Sequence, residues 1–476
     1  MQQSSTQETL ERSLRDLATG LEPGARMPTV RELVELHGVS PVTVSKAVAR
    51  LVSQGVLTTR PGSGTYVAPR SAQRQAPPDT AWQTLALADR QIDLSALRTG
   101  PLAAPGSGTI RLDGGYLHRS LQPAKALAGA LARASRRPDA WDRAPAAGLS
   151  SLRSYFASDT DADVSVEDVL VTSGGQSALS LVFRAIGAPG DAVLVESPTY
   201  PGALAAIAAA NLRPVPVPIG PDGVDPADVQ RAFEHSGARL FYCQPTFHNP
   251  TGAIVPPAQR ARIVEVARAA GAFVVEDDFA RHLGHGDALA PSLLAQDPYG
   301  AVVQLTSLTK PAAPSLRVGA IIARGPIAER LQAARRVDDF FVSRPLQEAA
   351  VELVSSPAWS THLKTLPRRL EQRRTTLIDA LRDQLPTWNP VTDPRGGLHL
   401  WYRLPPGITA EEVEHRAAAR GVVVDGGRRY FPAEPPAAHI RLSIAGTADL
   451  PALKLAVDAL AQAITAAPGA DQEVNG

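Results

Sequence analysis

The chain has one cysteine, Cys243, in 476 residues, which excludes an internal disulfide framework and fits a reducing compartment. It has no excess charge of either sign. Lys and Arg number 48 against 47 Asp and Glu, a net charge of +1, so there is no global field for a nucleic acid or a membrane, and any contact with a polyanion must come from a local patch. No apolar run reaches membrane-spanning length, and the opening Met1-Gln2-Gln3-Ser4 lacks the charged and apolar pattern of a secretory signal. A cytoplasmic location is expected. There is no internal repeat. What the sequence does have is 44% apolar residues and more length than one hydrophobic core usually serves, so two or more folded domains are expected.

Leu10, Leu14 and Leu17 recur at helical spacing from Gln7 to about Gly20, where Gly20, Pro23 and Gly24 stop the run. Thr29 is placed to cap a second helix carrying Leu33 and Leu36. After Gly38, Ser40 and Pro41 take N-cap and first-turn positions of a third helix, Val42 to Gln54. Val56 to Arg60 and Thr65 to Val67 read as short strands around Pro61-Gly62-Ser63-Gly64. The whole is a winged helix-turn-helix, mainly α with a small β wing, assigned to residues 1–69. Residues 70–91 read as a linker, being rich in Pro, Gln and Ala at their start.

Residues 92–466 alternate strand-like runs (Ala192 to Val195, Leu240 to Tyr242, Phe273 to Val275) with helical stretches such as Ala258 to Ala270. This predicts an α/β domain on a parallel sheet covered on both faces. From about Leu346 long helices mix with strands Leu398 to Arg403 and Ile440 to Ile444, a smaller C-terminal α+β lobe. A disordered tail is expected over 467–476.

On the third helix Thr43, Lys46 and Arg50 share one face, opposite Val44, Val48, Leu51 and Val52. Such a polar face fits a major groove, with Ser40, Thr43 and Lys46 as the base readers and Arg31 and Arg60 suited to phosphate contact or to base contact nearby. The competing reading is a small protein-interaction module with a solvated face. The stretch Pro23 to Val67, PGARMPTVRELVELHGVSPVTVSKAVARLVSQGVLTTRPGSGTYV, resembles the GntR-type winged helix almost end to end, with Met27 where a leucine is usual. The resemblance implies a dimer on a double-stranded operator with two half-sites. It also implies that Arg31, Thr43, Ser45, Lys46, Arg50 and Gly64 face the DNA.

Lys310 lies in TSLTKPAAPSLRVG, between an apolar strand from Ala301 to Leu305 and another from Val318 to Ala323. A lysine at such a junction forms a Schiff base with an aldehyde if its pKa falls well below about 10.4. Ser307, Thr309 and Arg317 suit a dianionic phosphate. Asp277 ends a strand at the edge where open α/β sheets bind ligands and could keep a pyridine nitrogen protonated. Asn249, in PTFHNPTG, can donate to a phenolic oxygen, and Tyr200, in ESPTYPG, can cover a ring face. Gly174, Gly175 and Gln176 open an apolar helix and can aim N–H groups at phosphate. Singly, each has an ordinary structural reading: turn glycines, an Asn-Pro turn, a surface aspartate, a packed tyrosine.

Their joint order, from glycine cradle to SLTK with a trailing arginine, resembles fold-type-I aminotransferases from about Ile92 to Ala466. GLSSLR (148–153), GGLHLW (396–401) and HIRLSIA, carrying Arg441, belong to the match. The resemblance implies pyridoxal phosphate on Lys310, Arg441 gripping a substrate or effector carboxylate, and a homodimer. A GntR-type winged helix ahead of this domain makes the chain similar to MocR-type regulators. One departure is Asp277-Asp278-Phe279: a phenylalanine stands where the family places a tyrosine hydroxyl near the ring oxygen. Two functions follow. Either the domain senses pyridoxal phosphate or an amino compound and controls transcription, or it is a working aminotransferase with an appended DNA-binding domain. No metal site is expected.

Overall fold

The computed structural model describes residues 2–69, 79–86, 108–286 and 289–465. The chain forms two compact units, Met1–Gln91 and Ile92–Gly476. The tail expected over 467–476 lies outside the described residues, as does most of the 70–91 linker. Within that linker, a short helix Ala81–Ala86 is described. Among the described residues no helix is long and apolar enough to cross a membrane.

The first unit is built by local signals. Helix Gln2–Thr19 contributes Leu10, Leu14 and Ala18 to a small core. Helix Val30–His37 starts on Thr29, whose Oγ1 accepts from the Glu32 N–H while the Thr29 N–H donates to the Glu32 carboxylate at 2.6 Å. This reciprocal cap satisfies donors that a helix start otherwise leaves open. Helix Pro41–Ser53 starts on Ser40, whose side chain accepts from the Thr43 N–H, and buries Val44, Ala47, Val48 and Leu51. Val52, expected in that stripe, is half-buried, and Ala47 takes its place. Strands Leu57–Arg60 and Gly64–Val67 pair antiparallel, Arg60 opposite Gly64. The wing turn needs Gly62 and Gly64, at φ of 74° and 112°, where side chains are strained.

The second unit centres on an eight-stranded sheet in the order Val169–Thr172, Gly319–Ile322, Val302–Ser307, Phe273–Asp277, Leu240–Cys243, Ala192–Ser197, Arg213–Gly220, Gly223–Val224. The sheet is mixed rather than purely parallel. Gly319–Ile322 runs against both neighbours, and Gly223–Val224 is a short antiparallel edge. The remaining strands are parallel, so Thr172, Ser197, Cys243, Asp277 and Ser307 all end at one edge of the sheet. The reversed strand starts at that edge, where Gly319 faces Thr172 on one side and Ser307 on the other. Apolar side chains cover both faces.

The smaller lobe has a sheet ordered Asn389–Pro390, His399–Arg403, His439–Ser443, Asp425–Gly426, backed by helices Pro357–Gln384, Ala410–Ala419 and Leu450–Thr465. Leu400, Tyr402, Ile440 and Leu442 point into its core. Strand alternation therefore sends His399, Trp401 and Arg441 to the opposite face. Register places Trp401 and Asp425 directly across from Arg441, on either side of it.

Candidate functional site

At the sheet edge, Asp277, Arg317 and Arg441 act electrostatically on Lys310, and the same three side chains act on Tyr200. Five of the residues singled out from the sequence thus share one place. Loss of water around the Lys310 ammonium, followed by the nearby Arg441 cation, pulls its pKa down to about 7. Its Nζ donates to the Gly115 carbonyl at 2.7 Å and sits 4.1 Å from the centre of the Tyr116 ring. Burial pushes the Asp277 carboxyl up from the usual range. Hydrogen bonds from Tyr242 Oη (2.7 Å) and Gln244 Nε2 (2.8 Å) pull the other way. Both bonds end on Oδ2, which leaves Oδ1 outside this pair.

The glycine turn is shaped by an arginine. Gly174, at φ 92°, precedes helix Gly175–Ile186. A Cβ on Gly174 would lie 2.9 Å from an Arg317 nitrogen and 3.0 Å from its Cζ, so only glycine leaves that guanidinium its place. Arg317 is itself in the left-handed region (φ 51°) and donates to the Ser173 carbonyl at 2.7 Å. Ser307 accepts from the Thr309 N–H at 3.0 Å, while the Thr309 hydroxyl is buried without a protein partner. A helix N-terminus, a guanidinium and an unpartnered hydroxyl are groups of the kind that can hold an anion.

Gln176 uses its side chain on Tyr200: Tyr200 Oη donates to Gln176 Oε1 at 3.2 Å, and Gln176 Nε2 donates to the Gly202 carbonyl at 2.8 Å. The half-buried tyrosine ring is fixed in place, and loss of water around its hydroxyl raises the pKa, so it stays protonated. Asn249 is buried, and its Oδ1 accepts from Arg441 Nη1 at 2.9 Å, so its amide N–H groups are free for another acceptor. Phe279 packs against the core of the smaller lobe and is followed by buried Ala280, so 277–280 offers no hydroxyl to the site.

Three participants were not found by reading the sequence. Tyr116 and His399 flank Lys310: a Cβ on Gly115 would meet both His399 Nε2 and Lys310 Nζ at 3.5 Å. Burial first, then the Arg441 and Lys310 charges, hold the His399 imidazole neutral. Asp425 pairs with Arg441 at 2.7 Å. A buried polar residue, His399, at the head of the largely apolar strand His399–Arg403 was the available signal for one of them.

In the winged helix Ser40, Ser45, Lys46, Arg50, Arg31, Arg60 and Gly64 are exposed, and Thr43 is half-exposed with its hydroxyl 2.8 Å from that of Ser40. Between residues 36 and 67 the sequence has Lys46, Arg50 and Arg60 and no Asp or Glu, a basic patch inside a neutral chain. Arg26, also missed, lies against Gly64 of the wing. Arg50 forms an exposed ion pair with Glu11 at 3.1 Å, and pairs of this kind add little stability. Arg50→Ala should therefore leave the fold intact and weaken operator binding about tenfold, measured by fluorescence anisotropy. Unchanged affinity would exclude this face from the DNA interface.

Residues 145–460 match the family model "Aminotransferase class I and II", and residues 5–67 match "Bacterial regulatory proteins, gntR family". The HTH-type transcriptional regulator YdcR of Escherichia coli is 27% identical over 437 residues, 90% of this chain and 92% of that protein. The probable rhizopine catabolism regulatory protein MocR of Rhizobium meliloti is 26% identical, covering 90% and 87%. Among solved structures, the α-aminoadipate aminotransferase LysN of Thermus thermophilus, complexed with N-(5'-phosphopyridoxyl)-L-leucine, superposes with a TM-score of 0.74. It is 30% identical and covers 81% of this chain and 98% of that one.

Pyridoxal phosphate is the cofactor this fold implies. The residues fit it: an anion cradle that a Cβ would fill, a buried hydroxyl without a partner, a lysine of lowered pKa and a buried aspartate lie along one edge. The chain belongs to the aminotransferase class I and II family, in the MocR-type branch that joins a gntR-family DNA-binding domain to a pyridoxal-phosphate-binding one.

Proposed function

We propose that the chain is a cytoplasmic, homodimeric transcriptional regulator: its winged helices bind the two half-sites of an operator, and its aminotransferase-like domain senses an amino compound through pyridoxal phosphate. The observation that carries this reading is Lys310, held near neutrality beside Asp277 and Arg317, in a chain that also has a basic recognition helix.

When bound, the cofactor supplies an aldehyde reactive toward amines and an electron-withdrawing ring. Lys310, with a pKa of about 7, keeps much of its amine unprotonated near neutral pH, the form that acts as nucleophile. Arg317, Thr309, Ser307 and the helix start at Gly174, Gly175 and Gln176 would hold the phosphate. Asp277, fixed by Tyr242 and Gln244, would face the ring nitrogen. The Asn249 amide would donate to the ring oxygen, and Tyr200, anchored by Gln176, would cover a face of the ring. With Phe279 in the 277–280 turn, the ring oxygen lacks one hydroxyl donor from that segment. This favours a sensor over efficient turnover. The near-complete set of cofactor residues favours the second reading, an aminotransferase, and one experiment separates the two.

Cofactor-loaded protein is titrated with amines and amino acids while operator affinity and keto-acid release are followed together. A sensor changes operator affinity about fivefold or more, the low end of typical coupling between sites, without multiple turnovers. Many turnovers with constant operator affinity would establish the enzyme instead.

A further inference from the structure

Arg441 is engaged before any ligand arrives. Its Nη1 donates to Asn249 Oδ1 at 2.9 Å, its Nη2 donates to the Asp113 carbonyl at 2.6 Å, and the same Nη2 lies 2.7 Å from Asp425 Oδ2. The two edges on which a guanidinium grips a carboxylate with two prongs are Nη1/Nη2 and Nε/Nη2, and both need Nη2. Here the space beside Nη2 is filled by protein oxygens.

Asp425 is no loose surface group. It is fully buried, lies directly across the sheet from Arg441, receives the Tyr430 hydroxyl on Oδ2 at 2.6 Å, and pairs through Oδ1 with Arg429. The Tyr430 ring also lies under the guanidinium, 5.1 Å from its Cζ. A ligand carboxylate would have to displace Asp425 or share Nη2 with it, two like charges on one buried cation.

We propose that Asp425 is a resident carboxylate that neutralises Arg441, so that the site takes primary amines without an α-carboxylate at least as readily as α-amino acids. This rests on the reading of the domain as an amine-binding, cofactor-loaded unit. Asp425 is then the residue that sets ligand class, acting through Arg441. Arg441 holds the smaller lobe to Asn249 and to the Asp113 segment rather than serving as an open carboxylate grip.

The test uses full-length protein loaded with pyridoxal phosphate and a matched pair of probes, 1-propylamine and L-2-aminobutyrate, which differ only by the carboxylate. Binding is read by calorimetry and by the change in visible absorbance. Wild type is expected to bind 1-propylamine at least as tightly as L-2-aminobutyrate, whereas one unshared charge-assisted bond would favour the amino acid about tenfold or more. Asp425→Asn keeps the shape and an acceptor for Tyr430. It should raise the preference for L-2-aminobutyrate at least about tenfold while changing the 1-propylamine affinity less than about threefold.

A wild-type preference for the amino acid of about threefold or more, or an unchanged ratio in Asp425→Asn, overturns the proposal. If the variant does not fold, the wild-type ratio decides alone. Loaded wild type that binds neither probe also overturns the proposal, since the site is then not one that takes simple primary amines. Failure of the wild type to acquire visible absorbance on loading would instead strike the underlying cofactor reading, before any probe is added.

Discussion

Lys310→Ala protein mixed with pyridoxal phosphate is expected to remain without the visible absorbance that wild type acquires, and its operator affinity should no longer respond to amines. The reason is chemical rather than steric. Among the described residues, Lys310 is the only lysine at the sheet edge that carries Asp277 and Arg317, and its lowered pKa supplies a neutral amine near pH 7. The pH dependence gives a second reading of the same residue. The reactive form is the unprotonated one, so cofactor uptake by cofactor-free wild type should rise as pH increases through about 7 and then level off. An ordinary exposed lysine would keep gaining neutral amine up to about 10.4. Uptake that climbs steadily through pH 9 would mean that the Lys310 environment is not the one described.

Gly174→Val is expected to weaken pyridoxal phosphate binding about a hundredfold, measured by equilibrium titration, with the circular dichroism spectrum retained. Two costs combine at this position. A non-glycine residue at φ 92° costs about 1–3 kcal/mol in backbone strain, paid partly as lost stability. The added Cβ would also stand 2.9–3.1 Å from the Arg317 guanidinium, forcing the principal cation of the anion cradle out of place. A charge-assisted hydrogen bond is worth about 1.5–3 kcal/mol, and about 2.7 kcal/mol corresponds to a hundredfold in affinity. Gly190, also at positive φ but with open space around its Cβ, serves as the control: Gly190→Val should lose stability without losing cofactor affinity beyond it.

Much of this molecule is legible in the sequence because its decisive signals are local. Thr29 and Ser40 announce two helix starts within three residues of each cap, and Gly62 and Gly64 announce the wing. The residues proposed to hold the cofactor are legible for a related reason. Most end or follow a short apolar strand, and parallel strands deliver their C-terminal ends to one edge. Once Asp277 and Ser307 are placed on neighbouring strands, Lys310 and Arg317 follow from short connections.

What was hidden depends on long-range pairing. Tyr116 reaches Lys310 through a segment whose neighbour, Gly115, bonds Lys310 across 195 residues, and nothing in GGYLH announces that partner. Asp425 meets Arg441 only because of the register between two strands, and a shift of one residue would send its side chain to the other face. The reversed strand Gly319–Ile322 was unreadable as well, since a short apolar run has the same composition whichever way it runs. Arg441 is the most instructive case. Its position was legible, but its availability was not, because that depends on Asn249, Asp113 and Asp425.

The chain has five lysines, Lys46, Lys125, Lys310, Lys364 and Lys454, so attachment of the cofactor can be assigned by elimination within one sample. Full-length protein loaded with pyridoxal phosphate is reduced with borohydride, digested and analysed by mass spectrometry. A pyridoxyl-phosphate group on the peptide carrying Lys310, and on no other lysine peptide, is the predicted result; an unmodified Lys310 peptide, or label spread evenly over the five, would contradict it.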